Sequence, residues 1–140
     1  MIRKARPDDY KKLLPLFKKA HAFTVYRDQP MDELHLRRMV TVGAVLPAFH
    51  FEVVEIDGEL VGMFGGMVDT SIWGSKRAVE LMCFSDRSTH RLIRNFEKWA
   101  ASQGIDTVIL SDESKNDRYR KMMNILGYNE DGVFYSKKVI

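Results

Sequence analysis

One acid set in an apolar run, followed at once by hydroxyls and arginines, is the arrangement in this chain that could do chemistry. Ala78-Val79-Glu80-Leu81-Met82-Cys83-Phe84 reads as a strand whose single acid is Glu80, and it leads into Ser85-Asp86-Arg87-Ser88-Thr89-His90-Arg91 and then an amphipathic helix. An ionised carboxylate among apolar neighbours is costly unless paired, and burial of that kind raises a pKa into the range of a general base. A solvent-facing Glu80, or one paired with Lys76 or Arg77, is the purely structural alternative. The first turn of a helix presents unpaired N–H groups and the positive end of its dipole, which favours an anion such as phosphate. Ser88 and Thr89 are also ordinary N-cap residues, and capping competes with phosphate for the same N–H groups. Arg87 and Arg91 could pair with phosphates, whereas Arg94 fits a solvated helix face.

Other chemistries find little support. The four histidines show no metal-ligand spacing, and Cys83 is the only cysteine, so neither a zinc motif nor an internal disulfide is expected. Cys83 reads as a small buried hydrophobe. There is no Walker A loop and no Gly-x-Ser-x-Gly elbow. The eight methionines, Met63, Met67, Met82, Met122 and Met123 among them, read as adaptable core filling. A net charge of +3 from dispersed basic residues suits an anionic small molecule and ranks nucleic acid last among partners. With 45% hydrophobic and 29% charged residues, the composition is that of a soluble globular chain, and 140 residues suit one domain over 1–140. No apolar run reaches membrane-helix length, and the basic residues 1–7 have no apolar stretch behind them. No signal peptide and a cytoplasmic setting are therefore expected.

The elements that must position these residues follow from periodicity. Residues 2–5 form a short strand, and Pro7-Asp8-Asp9 starts a helix with Leu13, Leu14, Phe17, Ala20 and Phe23 on one face. Pro15 is awkward inside it. Asp32 caps a second helix carrying Leu36, Met39 and Val40. Strands over 49–56 and 59–68 flank Asp57-Gly58, a type I′ hairpin signal, and Gly62, Gly65 and Gly66 point to a bulge or a close approach. A loop over 70–76 precedes the strand over 77–84. The helix over 88–103 buries Leu92, Ile93, Phe96, Trp99 and Ala100. A short strand over 107–110, a helix over 116–126 and a last strand over 133–139 complete β-α-α-β-β-β-α-β-α-β. This order predicts an α/β chain with a mixed sheet and helices on both faces.

This order resembles the GNAT superfamily of N-acetyltransferases. Residues 2–9 look like its first strand and helix start, Asp57-Gly58-Glu59-Leu60-Val61-Gly62 like its β2–β3 hairpin, and residues 92–104 like its central helix. Asn116 with Leu126-Gly127-Tyr128 is similar to its late Asn…Gly-Phe/Tyr signature. The family's cofactor loop reads Arg/Gln-x-x-Gly-x-Gly/Ala, whereas residues 84–91 hold no glycine, and the family's acid tyrosine falls at Met123. Short, glycine-poor members of this kind also occur in bacteriophages.

The resemblance implies transfer of an acetyl group from acetyl-CoA to an amine by direct attack in a ternary complex. The amine must lose its proton, since a solvated lysine amine has a pKa of ~10.4, and the developing oxyanion needs N–H donors. Glu80 is the expected base, with Glu52 and Glu55 as alternatives; Glu52, between Phe51 and Val53, reads as solvent-facing. Backbone near Met82 and Phe84 would hold the thioester, Arg87, Ser88, Thr89 and Arg91 the phosphates, and Asn116 the pantetheine. Tyr119, one turn before Met123, could replace the missing acid, with Tyr128 next. The acceptor, a small-molecule or protein amine, would lie between the first two helices and the Ser71–Ser75 loop. A homodimer could use the edge after Val133. The competing reading is a binding or structural protein that keeps this fold without catalysis.

Overall fold

The computed structural model describes residues 1–112 and 117–140. β1 (Ile2–Lys4) leads through a 3-10 turn at Pro7–Asp9 into α1 (Tyr10–Phe23), and α2 (Glu33–Val45) follows. β2 (Phe49–Ile56), β3 (Glu59–Thr70) and β4 (Lys76–Ser85) form a meander. α3 (Thr89–Ser102), β5 (Val108–Ile109) and α4 (Asp117–Leu126) complete the regular elements. The sheet order is β1-β2-β3-β4-β5, with antiparallel pairs up to β4 and a parallel β4–β5 pair. No helix of the described residues is long and apolar enough to cross a membrane.

Local chemistry explains the elements. Asp57 and Gly58 both take positive φ, 51° and 79°, as a two-residue type I′ turn requires. The Asp32 side chain accepts from the His35 N–H at 3.0 Å and caps α2. Pro15 stands inside α1 without ending it. The β1–α1 corner is pinned by Arg3, which donates in a fork to both Asp9 oxygens at 2.8 and 2.9 Å and through Nε to Glu55 at 2.7 Å.

The sheet carries a core on each face. Against α1 and α2 lie Leu13, Phe17, Val40, Phe51, Val53 and Met63. Against α3 and α4 lie Val54, Phe64, Leu92, Ile93, Phe96 and Ala100. Gly66 of β3 makes this second packing possible. A Cβ on Gly66 would sit 2.4 Å from two ring atoms of Phe96 and 3.0 Å from the Val79 carbonyl. Phe96 has no room to retreat, being fully buried with Phe64, Trp99 and His50 rings at 4.8, 5.5 and 5.6 Å. Gly66→Ala is therefore expected to destabilise by about 2 kcal/mol and lower Tm by roughly 6–8 °C. Gly132→Ala, whose added methyl meets nothing within 4 Å, is the control. Equal melting of the two variants would refute the close-approach explanation.

Two expectations need correction. Residues 133–139 form no strand, and Val133, Phe134, Tyr135 and Val139 are exposed. A strand persists only by pairing, and β5, the sheet edge on that side, is two residues long. Glu52 does not face solvent. It lies half-buried on the α3 side, accepting from Asn95 Nδ2 at 3.0 and 3.3 Å, with His50 Nε2 at 3.5 Å. Its carboxyl stays below the usual range: burial opposes ionisation, but the adjacent His50 imidazole and the Asn95 hydrogen bonds outweigh it.

Candidate active site

β4 and β5 begin as parallel neighbours and then part. Ala78 pairs with Val108 and Val79 with Ile109, and no further pair follows among the described residues. At the parting point the Glu80 carboxylate takes over where a strand would continue. Its Oε2 accepts from the Ser111 backbone N–H at 2.9 Å and from Ser111 Oγ at 3.1 Å. Glu80 is only 9% exposed. The alternative pairing with Arg77 does not occur, because Arg77 is bound to Asp69.

A bulge then redirects β4. Its register against β3 shifts between Gly65, opposite Met82, and Gly66, opposite Glu80, leaving Leu81 as the extra residue. Side chains alternate along a strand, so one inserted residue reverses every side chain after it. Ala78 packs on the α3 side, whereas Met82 and Phe84 beyond the bulge pack on the α1–α2 side. Both therefore line a cavity of about 380 Å³ bounded by α1, α2, residues 80–84, Ser111, Asp112 and Tyr119. That volume falls within the span of small-molecule sites.

Tyr119 and Glu80 line this cavity together. Burial, and then the charge of Glu80, push the Tyr119 phenol well above its ordinary pKa, so it stays protonated across the physiological range. The Cys83 thiol is pushed up to about 12 by burial and by Glu80, which leaves it an inert wall rather than a nucleophile. Tyr128 is not part of the cavity lining; its hydroxyl donates to Glu97 at 3.0 Å. None of residues 71–75 lines the cavity, contrary to the expected role of that loop, which closes on itself through Ser71 and Ser75. Glu55 also lies apart, bound to Arg3.

The turn between β4 and α3 has a glycine-like shape without glycine. Ser88, the N-cap of α3, has φ 63° and ψ 18°, and its side chain makes no capping bond. A non-glycine residue enters this left-handed region at a cost of about 1 kcal/mol. The Ser85 hydroxyl bonds to the Arg87 carbonyl, and Thr89 Oγ1 donates to the Ser85 carbonyl at 3.1 Å, so Thr89 stabilises the turn. Arg87 and Arg91 are exposed beside it. Asn116 lies outside the described residues.

No protein-family model matches the sequence, and no curated protein does either. Solved structures do match, over the whole chain. A ribosomal-protein-alanine N-acetyltransferase from Brucella melitensis biovar Abortus 2308 superposes with TM-score 0.72 at 14% identity, covering 99% of each chain. This is the GNAT acetyltransferase fold. Glucosamine-6-phosphate N-acetyltransferase from Arabidopsis thaliana superposes with TM-score 0.73 at 16% identity, over 100% of this chain and 98% of that one. An aminoglycoside 6′-N-acetyltransferase from Acinetobacter haemolyticus gives 0.72 at 20% identity, over 100% and 99%. The parted β4–β5 pair and the bulge at Leu81 thus belong to a chain with the GNAT fold its sequence suggested, without the last strand expected over 133–139. The bulge itself left no sequence signal beyond Gly65-Gly66 on the facing strand.

Proposed function

We propose that this protein is an N-acyltransferase that takes an acetyl group from acetyl-CoA and places it on a primary amine. The observation that carries this reading is the opening between β4 and β5, with the cavity running along β4 from Glu80 to Phe84 and reaching Tyr119. Beyond Val79 the β5-facing edge of β4 has no strand partner among the described residues, and a backbone edge in that state is a ready receptor for an extended amide chain such as pantetheine. Met82 and Phe84 would flank that arm. The first turn of α3, uncapped by the Ser88 side chain and flanked by Arg87 and Arg91, would receive phosphates. Acetyl-CoA supplies an activated thioester carbonyl.

The remaining chemistry falls to the chain. Glu80, fixed by its two Ser111 donors, accepts the proton that the amine must lose as its nitrogen bonds to the carbonyl carbon. The C–S bond breaks, and Tyr119, held in its protonated form, returns a proton to the leaving sulfur. Direct transfer needs no enzyme nucleophile, which agrees with a Cys83 thiol held inert.

Thermal melting with acetyl-CoA is the test. Saturating cofactor at 100 times its Kd should stabilise by about 2.7 kcal/mol, or roughly 8–10 °C. No shift at millimolar acetyl-CoA would favour a GNAT-fold binding protein without catalysis. The observation behind that second reading is the strained, glycine-free turn at Ser88.

A further inference from the structure

The β4–β5 ladder ends with Val79 opposite Ile109. Two residues further along β5, where the apolar run Val108-Ile109-Leu110 gives way, Ser111 turns both of its donors onto one atom. Its backbone N–H at 2.9 Å and its hydroxyl at 3.1 Å both reach Oε2 of the buried Glu80. The backbone bond alone would satisfy the N–H of a strand end. The hydroxyl has a single hydrogen to give, and it goes to the same oxygen.

From this we infer that Ser111 is a positioning residue of the site: its hydroxyl, added to its N–H, fixes the Glu80 carboxylate and keeps it ionised in a buried setting, ready to take the amine's proton. The part played in turnover rests on the transferase reading; the hold on the carboxylate does not. An ionised carboxylate only accepts hydrogen bonds, whereas a carboxylic acid carries a hydrogen of its own. Two donors converging on Oε2 therefore match the charged form, and a proton arriving on Oε2 would have to displace one of them. Burial works the other way, by withdrawing water from the charge. Among the described residues, the other titratable groups of this cavity are Cys83 on β4, Asp112 beside Ser111, Tyr119 on α4, His21 on α1, His35 on α2 and Tyr26 between those helices. The charge of Glu80 is felt by Cys83 and Tyr119. All of these groups are common to the parent and to a variant that lacks one oxygen atom at Ser111, so their difference isolates the hydroxyl.

The test follows the side-chain carboxyl resonance of Glu80 through a pH titration of the full chain, isotopically labelled at its glutamate carboxyls. The signal is assigned by its loss in Glu80→Gln. Ser111→Ala, which keeps the N–H and removes the hydroxyl, should raise the Glu80 midpoint by about one pH unit. Ser111→Thr, which restores the hydroxyl, should bring it back to the parent value. Thiol release from acetyl-CoA with n-butylamine, a primary amine that asks for little recognition beyond its nitrogen, gives the second reading. Below the parent's midpoint, Ser111→Ala should lower kcat/KM about fivefold, but less than about twofold when Glu80 is already glutamine. A midpoint that Ser111→Ala leaves in place or lowers, a shift that Ser111→Thr fails to reverse, or an equal loss of rate in both backgrounds would overturn the inference. A raised and rescued midpoint in a protein that releases no thiol would retain the hold of Ser111 on Glu80 and tell against the transferase reading. Thiol release by the parent with an unmoved midpoint in Ser111→Ala would do the reverse.

Discussion

Glu80→Gln is expected to lower kcat/KM for amine acetylation by about 10²–10³ while leaving the fold intact. The glutamine carbonyl can still accept from the Ser111 N–H and hydroxyl, which lie 2.9 and 3.1 Å from Oε2, so the parting of β4 from β5 is preserved. Proton acceptance is what is lost. In the parent, with Glu80 accepting the proton, the rate should depend less on how much of the amine is already neutral in solution. In the variant, the rate should keep climbing with pH, following the fraction of amine already neutral in solution, toward an alkylamine pKa of ~10.4. A rise in KM alone would assign Glu80 to binding the ammonium group. A pH–rate profile identical to the parent's would remove it as the base.

How such a site could be read in advance depends on which physical signals are local. The alternation of β2 and β3, the Asp57-Gly58 turn, the Asp32 cap and the Leu92–Ile93–Phe96–Ala100 face of α3 are set by neighbours in sequence, and each stands where periodicity put it. The burial of Glu80 was legible for the same reason: one acid in an apolar strand is conspicuous, and the fold places it at 9% exposure. What was not legible depends on partners far along the chain. Alternation put Glu52 opposite Phe51 and Val53 correctly, but not that the opposite face is covered by α3, where Asn95 waits for it. Period two reports which side a residue takes, never whether that side is wet.

The methionines illustrate the converse. Met63 and Met82 are packed against the α1–α2 core, as core filling should be, yet they also form the floor of the cavity. A core position and a cavity wall differ only in whether the helix layer closes over them. The bulge at Leu81 compounds this, since it turns Met82 and Phe84 to the side opposite the one strict alternation from Ala78 assigns. The run over 133–139 has the composition of a strand, but strand formation is a property of a pair, and β5 offers it two residues.

Asp9→Asn should cost about 3 kcal/mol at neutral pH and lower Tm by roughly 10 °C, the largest stability effect expected of a single polar substitution here. Asp9 is 5% exposed and gathers three donors: the two Arg3 fork nitrogens at 2.8 and 2.9 Å and the Arg6 N–H at 2.8 Å. Asparagine can replace at most one oxygen acceptor and presents an N–H₂ to a guanidinium, so Arg3 keeps only Glu55 as a charged partner. The same contacts fix the pH dependence. The Arg3 hydrogen bonds, ahead of all other causes, hold the Asp9 carboxyl below its ordinary value of 3.8. A depressed folded pKa means the unfolded chain binds the proton first, so this stabilisation is present above about pH 4 and fades as pH falls through the folded pKa. Denaturant melts at stepped pH should therefore show the gap between parent and variant widest near neutrality and narrowing below about pH 4. A gap of constant size down to pH 3 would mean that Asp9 contributes through packing at the β1–α1 corner and not through its charge.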